Sequence, residues 1–122
     1  MKEYPREYIE LLNIQIGCLL KVNRLRSKKS QHDLALVLES NPTAIGRIER
    51  AEVISGWDRI YILSQELKIP FSDLFVLLPE KKLLLIIDEI LGLEQKLNDE
   101  KKEFYRTLIS KIIEKYTRLK SL

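Results

Sequence analysis

At 122 residues with a formal net charge of +3, the chain has the length of one domain, or of one small domain plus a helical extension. Apolar residues at 45% and charged residues at 32% argue against wholesale disorder, and four Gly and four Pro argue against a turn-rich β-sandwich. One cysteine, Cys18, and one histidine, His32, exclude an internal disulfide framework, a cysteine zinc cage and a histidine metal cluster.

The opening Met1-Lys2-Glu3-Tyr4-Pro5 has no apolar core, so no secretory signal is expected. No apolar run exceeds five residues, as in residues 83–87, too short to span a bilayer. The expectation is a soluble, helical, cytoplasmic protein without membrane contact. Ile9, Leu12, Ile16 and Leu20 recur at helical steps and predict a first helix to about Arg26. Cys18 lies within it and reads as a packing residue. Ser30 is an N-cap with Asp33 three residues on, opening a short helix with Leu34, Ala35 and Leu38 on one face. Asn41 caps the next helix, with Pro42 at its first position, where a missing N–H costs nothing. That helix turns Ile45 and Ile48 inward and Arg47 and Arg50 outward. Trp57, Ile60, Leu63 and Leu67 define a fourth helix, ending near Ile69-Pro70. Trp57 reads as core or helix-start packing, and Tyr61, Tyr105 and Tyr116 as amphipathic packing. Residues 72–75 form a short fifth helix, and Pro79 marks a boundary between residues 1–78 and 79–122.

Beyond Pro79, residues 80–96 carry Leu83, Leu84, Ile87, Ile90 and Leu91 at helical spacings. Asn98 or Asp99 restarts a last helix with Phe104, Leu108, Ile112 and Leu119 inward. Two readings stay open: an antiparallel helical hairpin, or one continuous helix through the polar stretch 94–103. Residues 83–87 are apolar all round the helix and need cover on more than one face. Residues 80–120 are therefore expected to form a homodimer interface through Leu84, Ile87, Leu91, Leu108 and Ile112.

The charge is uneven. Residues 20–29 hold Lys21, Arg24, Arg26, Lys28 and Lys29 and no acid. Such a run is either a solvated helix face or a helix end facing phosphates.

Two short helices with a tight turn and bases on the second form a helix-turn-helix pattern, in which the second helix enters the DNA major groove. Ser30-Gln31-His32-Asp33-Leu34-Ala35, Ile45-Gly46-Arg47-Ile48-Glu49-Arg50, Leu67-Lys68-Ile69-Pro70 and Ser72-Asp73-Leu74-Phe75 occur in order. Together they resemble the λ-repressor/Cro-like (Xre-family) helix-turn-helix domain over about residues 14–76. The resemblance implies a five-helix λ-repressor-like DNA-binding domain, so the expected fold is all-α, that domain followed by the C-terminal helical hairpin read from residues 80–120. It implies binding of double-stranded operator DNA as a homodimer. Pro42, Thr43 and Arg47 fall at its base-facing positions, with Asn41 beside them. Gln31 and Arg50 fall at backbone-contact positions, and Lys28 and Lys29 add non-specific backbone contacts. Arg24 and Glu49 correspond to an internal, structural ion pair. The chain departs from the family pattern at Glu39-Ser40, Lys28-Lys29 and Ala51, where glycine is usual. Pro42 and Ala44 have no side-chain donor, so direct readout rests on Arg47 with Thr43 and Asn41.

No catalytic residue, cofactor, metal or small-molecule substrate is expected. There is no activated Ser or Cys and no glycine-rich phosphate loop, and Asp88-Glu89 occupy adjacent helix positions that point apart. Two functions compete: a sequence-specific transcriptional regulator, and a protein-interaction module of antitoxin or anti-repressor type with the same fold and weak DNA readout. His32 reads as an exposed helix residue.

Overall fold

Short polar side chains placed just before apolar runs decide where the helices begin. In the computed structural model, which describes residues 4–121, Ser30 and Asp33 form a reciprocal capping box. Ser30 Oγ accepts from the Asp33 N–H at 3.0 Å, and Asp33 Oδ2 accepts from the Ser30 N–H at 2.8 Å. Asn41 Oδ1 accepts from the Ala44 N–H at 2.9 Å and Asn98 Oδ1 from the Lys101 N–H at 2.8 Å. The elements are α1 (Arg6–Arg26), α2 (Gln31–Val37), α3 (Pro42–Glu49), α4 (Trp57–Glu66), a 3-10 helix (Phe71–Phe75), α5 (Glu80–Leu93) and α6 (Asp99–Lys120). No strand occurs among the described residues. Met1, Lys2 and Glu3 of the opening segment, and Leu122, lie outside them.

The first four helices stop in the same way. Lys28, Glu39, Ala51 and Lys68 follow α1 to α4 in the left-handed region, with φ of 57°, 51°, 58° and 58°. The next amide in each case reaches back to a carbonyl of the last turn, as Glu52 N–H does to Arg47 O at 2.9 Å and Ile69 N–H to Ser64 O at 2.8 Å. Each non-glycine residue there costs about 1–2 kcal/mol of backbone strain, offset by these bonds. The Lys28, Glu39 and Ala51 departures noted in the sequence are three of these four positions.

The core has two parts, and α1 belongs to both. Ile16 and Leu20 face α2, α3 and α4 with Leu34, Ile45, Ile48, Ile60 and Leu63. Leu11, Ile14, Cys18 and Val22 face the other way, against Leu83, Ile87 and Ile90 of α5 and Tyr105, Leu108, Ile112 and Tyr116 of α6. The second stripe was not part of the expected pattern, which placed Ile9 inward; Ile9 is 53% exposed. A division at 78/79 therefore does not separate two independent cores, because α1 closes both. Gln15, fully buried on α1, fastens the connection to α5. Its Nε2 donates to Leu74 O at 3.3 Å and Val76 O at 2.9 Å, and its Oε1 accepts from Leu78 N–H at 2.7 Å. The Tyr116 hydroxyl donates to Leu78 O.

This packing places three of the five expected interface residues in the core of a single chain. Ile87 and Ile112 are 0% exposed and Leu108 is buried within one chain, while Leu84 and Leu91 are half-buried against the same cluster. Part of the cover assigned to a second subunit is supplied by the unforeseen face of α1, while Leu85 of the same stretch stays 57% exposed. The chain also breaks between α5 and α6. Glu94 is extended at φ −67° and ψ 119°, so the continuous-helix reading does not hold. α5 ends at Leu93, three residues earlier than expected. Trp57 is a further correction to the core-packing reading: it starts α4 but is 72% exposed, while Ile60 three residues on is buried. Tyr105 and Tyr116 are buried, whereas Tyr61 is exposed and meets Phe71 edge-on at 5.5 Å between ring centroids.

Gly17 sits where α1 meets the end of α3. A Cβ there would lie 2.6 Å from the carbonyl oxygens of both Ile48 and Glu49. Backbone cannot yield as a flexible side chain can, so Gly17→Ala should cost about 1–3 kcal/mol by overpacking. A urea titration reads this as a lower midpoint; an unchanged midpoint would mean that the helices do not touch at Gly17. No helix among the described residues is long and apolar enough to cross a membrane.

Candidate nucleic-acid interface

α2 and α3 are joined by residues 38–41 and pack on each other through Leu34 and Ala35 against Ile45 and Ile48. Burying Ile45, Gly46, Ile48 and Glu49 turns the opposite face of α3 outward. That face presents Pro42, Thr43 and Arg47, with Asn41 and Arg50 at its two ends, all exposed. Arg47 has no ionic partner among the described residues, and Thr43 makes no side-chain hydrogen bond among them. Asn41 spends its Oδ1 on the α3 cap, leaving its amide hydrogens to face outward.

The helix pair is fixed from behind by a buried network. Arg24 grips Glu49 with two bonds, Nε to Oε2 at 2.7 Å and an outer guanidinium nitrogen to Oε1 at 3.1 Å. The two side chains are 8% and 2% exposed. Arg24 also donates to Lys29 O at 3.0 Å, and Gln31 Nε2 donates to Glu49 Oε1 at 2.9 Å. The end of α1, the start of α2 and the end of α3 thus meet on one carboxylate. Gln31, expected to touch DNA backbone, is half-buried and has part of its amide engaged internally.

The basic run has a different character in three dimensions. Lys21 lies 3.0 Å from Glu94, Arg26 binds Glu89 at 2.5 and 2.6 Å, and Lys29 lies 3.0 Å from Glu66. With Arg24 on Glu49, four of the five bases face acids from other elements, and Lys28 alone among them has no ionic partner among the described residues. Lys29 and Arg50 are therefore not free cations; Arg50 pairs with Glu52 at 2.8 Å.

Electrostatics accompany this geometry. Glu94 was not singled out in the sequence. Burial would raise its carboxyl, but Lys21 and Lys101 outweigh burial and hold it below the usual carboxylate range. Its Oε2 meets Lys21 as an ion pair without the alignment of a hydrogen bond. The Ser30 backbone N–H, then its hydroxyl, keeps Asp33 low as well. Burial pushes the Cys18 thiol up to about 12, which leaves it protonated at neutral pH. Gln15 was also missed; a polar residue on the apolar side of a helix was the available signal, since buried amides need partners.

Between this surface and the start of α6 runs a groove of about 960 Å³. Lys28, Gln31 and Arg50 line it together with Lys96, Lys101 and Tyr105. Among the described residues no three His, Cys, Asp or Glu side chains gather as a metal site. Compared with known proteins, the chain matches no family model, no curated protein and no solved structure.

Proposed function

We propose that the chain is a sequence-specific DNA-binding transcriptional regulator of the λ-repressor-like helix-turn-helix class, with α5 and α6 as a helical hairpin extension. In this reading α2 and α3 are the two helices of the motif, and α3 lies in the major groove. One observation carries it. In a chain that pairs four of the five bases in its most basic stretch, Arg47 stands unpaired on the outward face of α3, beside exposed Thr43. A guanidinium left free at that position can grip a guanine edge with two parallel hydrogen bonds. The buried Arg24–Glu49–Gln31 network supports the same reading by holding α3 rigid while it does so. Binding as a homodimer belongs to the proposal, but a partner has to meet a surface other than the enclosed Ile87, Leu108 and Ile112.

Selection of bound duplexes from a random pool tests the reading. A palindromic motif with half-sites about one helical turn apart is the expected result. Arg47→Ala should then lose about 1–3 kcal/mol of discrimination at one base pair, read as relaxed preference there. A pool that stays unenriched with the wild-type chain would favour the second reading, a protein-interaction module. Two observations support that alternative: Pro42 and Ala44 offer no donor to a base edge, and the basic run is internally neutralised.

A further inference from the structure

We propose that the segment between α5 and α6 is a second DNA-backbone contact, so that one DNA strand lies in the groove between it and the α1–α2 corner. The inference rests on the DNA-binding reading and names a part of the chain that reading does not use.

The groove brings together two regions far apart in sequence. Lys28 and Gln31 belong to the α1–α2 corner and Arg50 to the end of α3, while Lys96 and Lys101 come from residues 94–101. Seven Lys and Arg side chains line it against three Glu. Several of these cations already face carboxylates, so the surplus has to be located. Lys28 and Lys96 are exposed, line the same groove from regions far apart in the chain and have no ionic partner among the described residues. Two unneutralised cations lining one open groove suit a polyanion running through it better than a neutral or basic ligand. The groove begins at Arg50, directly after the helix whose outer face carries Arg47. A strand whose bases meet α3 would have its phosphates within reach of this groove. The walls are held in place: Glu94, clamped by Lys21 and Lys101, ties the α5–α6 segment to α1. On this account the C-terminal helices present a backbone contact while they complete the core of the domain.

The test is affinity for a mixed-sequence duplex as a function of potassium chloride, followed by fluorescence anisotropy with the full chain. Each phosphate contact contributes about 0.9 to the slope of log K against log salt. Lys96→Gln and Lys28→Gln should each reduce the slope by about that amount. Lys81→Gln, at the far end of α5, should leave it unchanged. Thermal melts of the variants establish that they fold. If Lys96→Gln keeps the wild-type slope while Lys28→Gln or Arg47→Ala weakens binding, the inference is wrong and the DNA-binding reading stands. If the wild-type chain binds no duplex even at low salt, both fall. Competition settles the remaining possibility: inorganic pyrophosphate that protects the folded chain through Lys96 without displacing DNA would assign the groove to a free anion and overturn the proposal.

Discussion

Glu49→Ala should destabilise the folded chain by about 3–5 kcal/mol, because it leaves the Arg24 guanidinium buried with its carboxylate gone. The loss exceeds that of one ion pair. Glu49 also accepts from Gln31, so the change unlocks the start of α2 and the end of α3 together. Urea unfolding followed by circular dichroism reads the effect as a lower midpoint. The double replacement Arg24→Met with Glu49→Leu removes the uncompensated charge and should recover much of the loss. A cost below about 1 kcal/mol for Glu49→Ala would mean that the pair is open to solvent, in the range of surface pairs. Arg26 and Glu89 supply that contrast. They meet at 2.5 Å, but their side chains are 49% and 39% exposed. Screening and side-chain entropy hold such a pair to about 0–1 kcal/mol, so the short distance alone does not make it important.

Ile112→Ala carries the second large effect, about 2–5 kcal/mol from lost burial and the cavity left behind. It discriminates between two roles for α6. Ile112 is fully enclosed by the cluster that α1, α5 and α6 build together. Its truncation should therefore lower the unfolding midpoint of the whole chain in one transition, at every protein concentration. An interface residue would behave otherwise: the variant would stay folded, and only its concentration-dependent association would weaken. Sedimentation and urea titration of the same sample distinguish the two. A stable, folded variant of altered association would restore the subunit-interface role to Ile112.

Both predictions turn on distant contacts, and this explains what sequence reasoning reached. Ser30, Asn41, Pro42 and Asn98 act on amides three or four residues away, or through their own φ. Their roles as caps and helix starts are legible without any tertiary information. The inward face of α3 is legible for the same reason, since Ile45 and Ile48 sit three apart on one side. From that face the outward position of Arg47 follows directly. The Arg24–Glu49 pair came from the resemblance, and the bidentate contact agrees with it.

α1 marks where local reasoning stops. Its periodicity announces one stripe, yet the helix is buried on two sides, and Ile9 on the expected stripe is exposed. A periodic pattern reports which residues are apolar, and neighbouring helices decide which of them are covered. Trp57 shows the converse, an apolar residue three positions before buried Ile60 that is itself left 72% exposed.

By itself, then, the sequence determined an all-helical chain, most of its helix starts, and the residues offered on the outer face of α3. The tertiary structure alone decided that the hairpin residues belong to the core and that the basic run is largely neutralised. Helix caps act within a turn of the chain, so order in sequence specifies them. Coulomb attraction and apolar burial depend on distance through space, and Glu94, Glu89 and Glu66 meet their bases only once α4, α5 and α1 have packed. The net charge of +3 was available at the outset; that Lys28, Arg47 and Lys96 are among the cations left without an ionic partner, while most of the basic run is paired, was not.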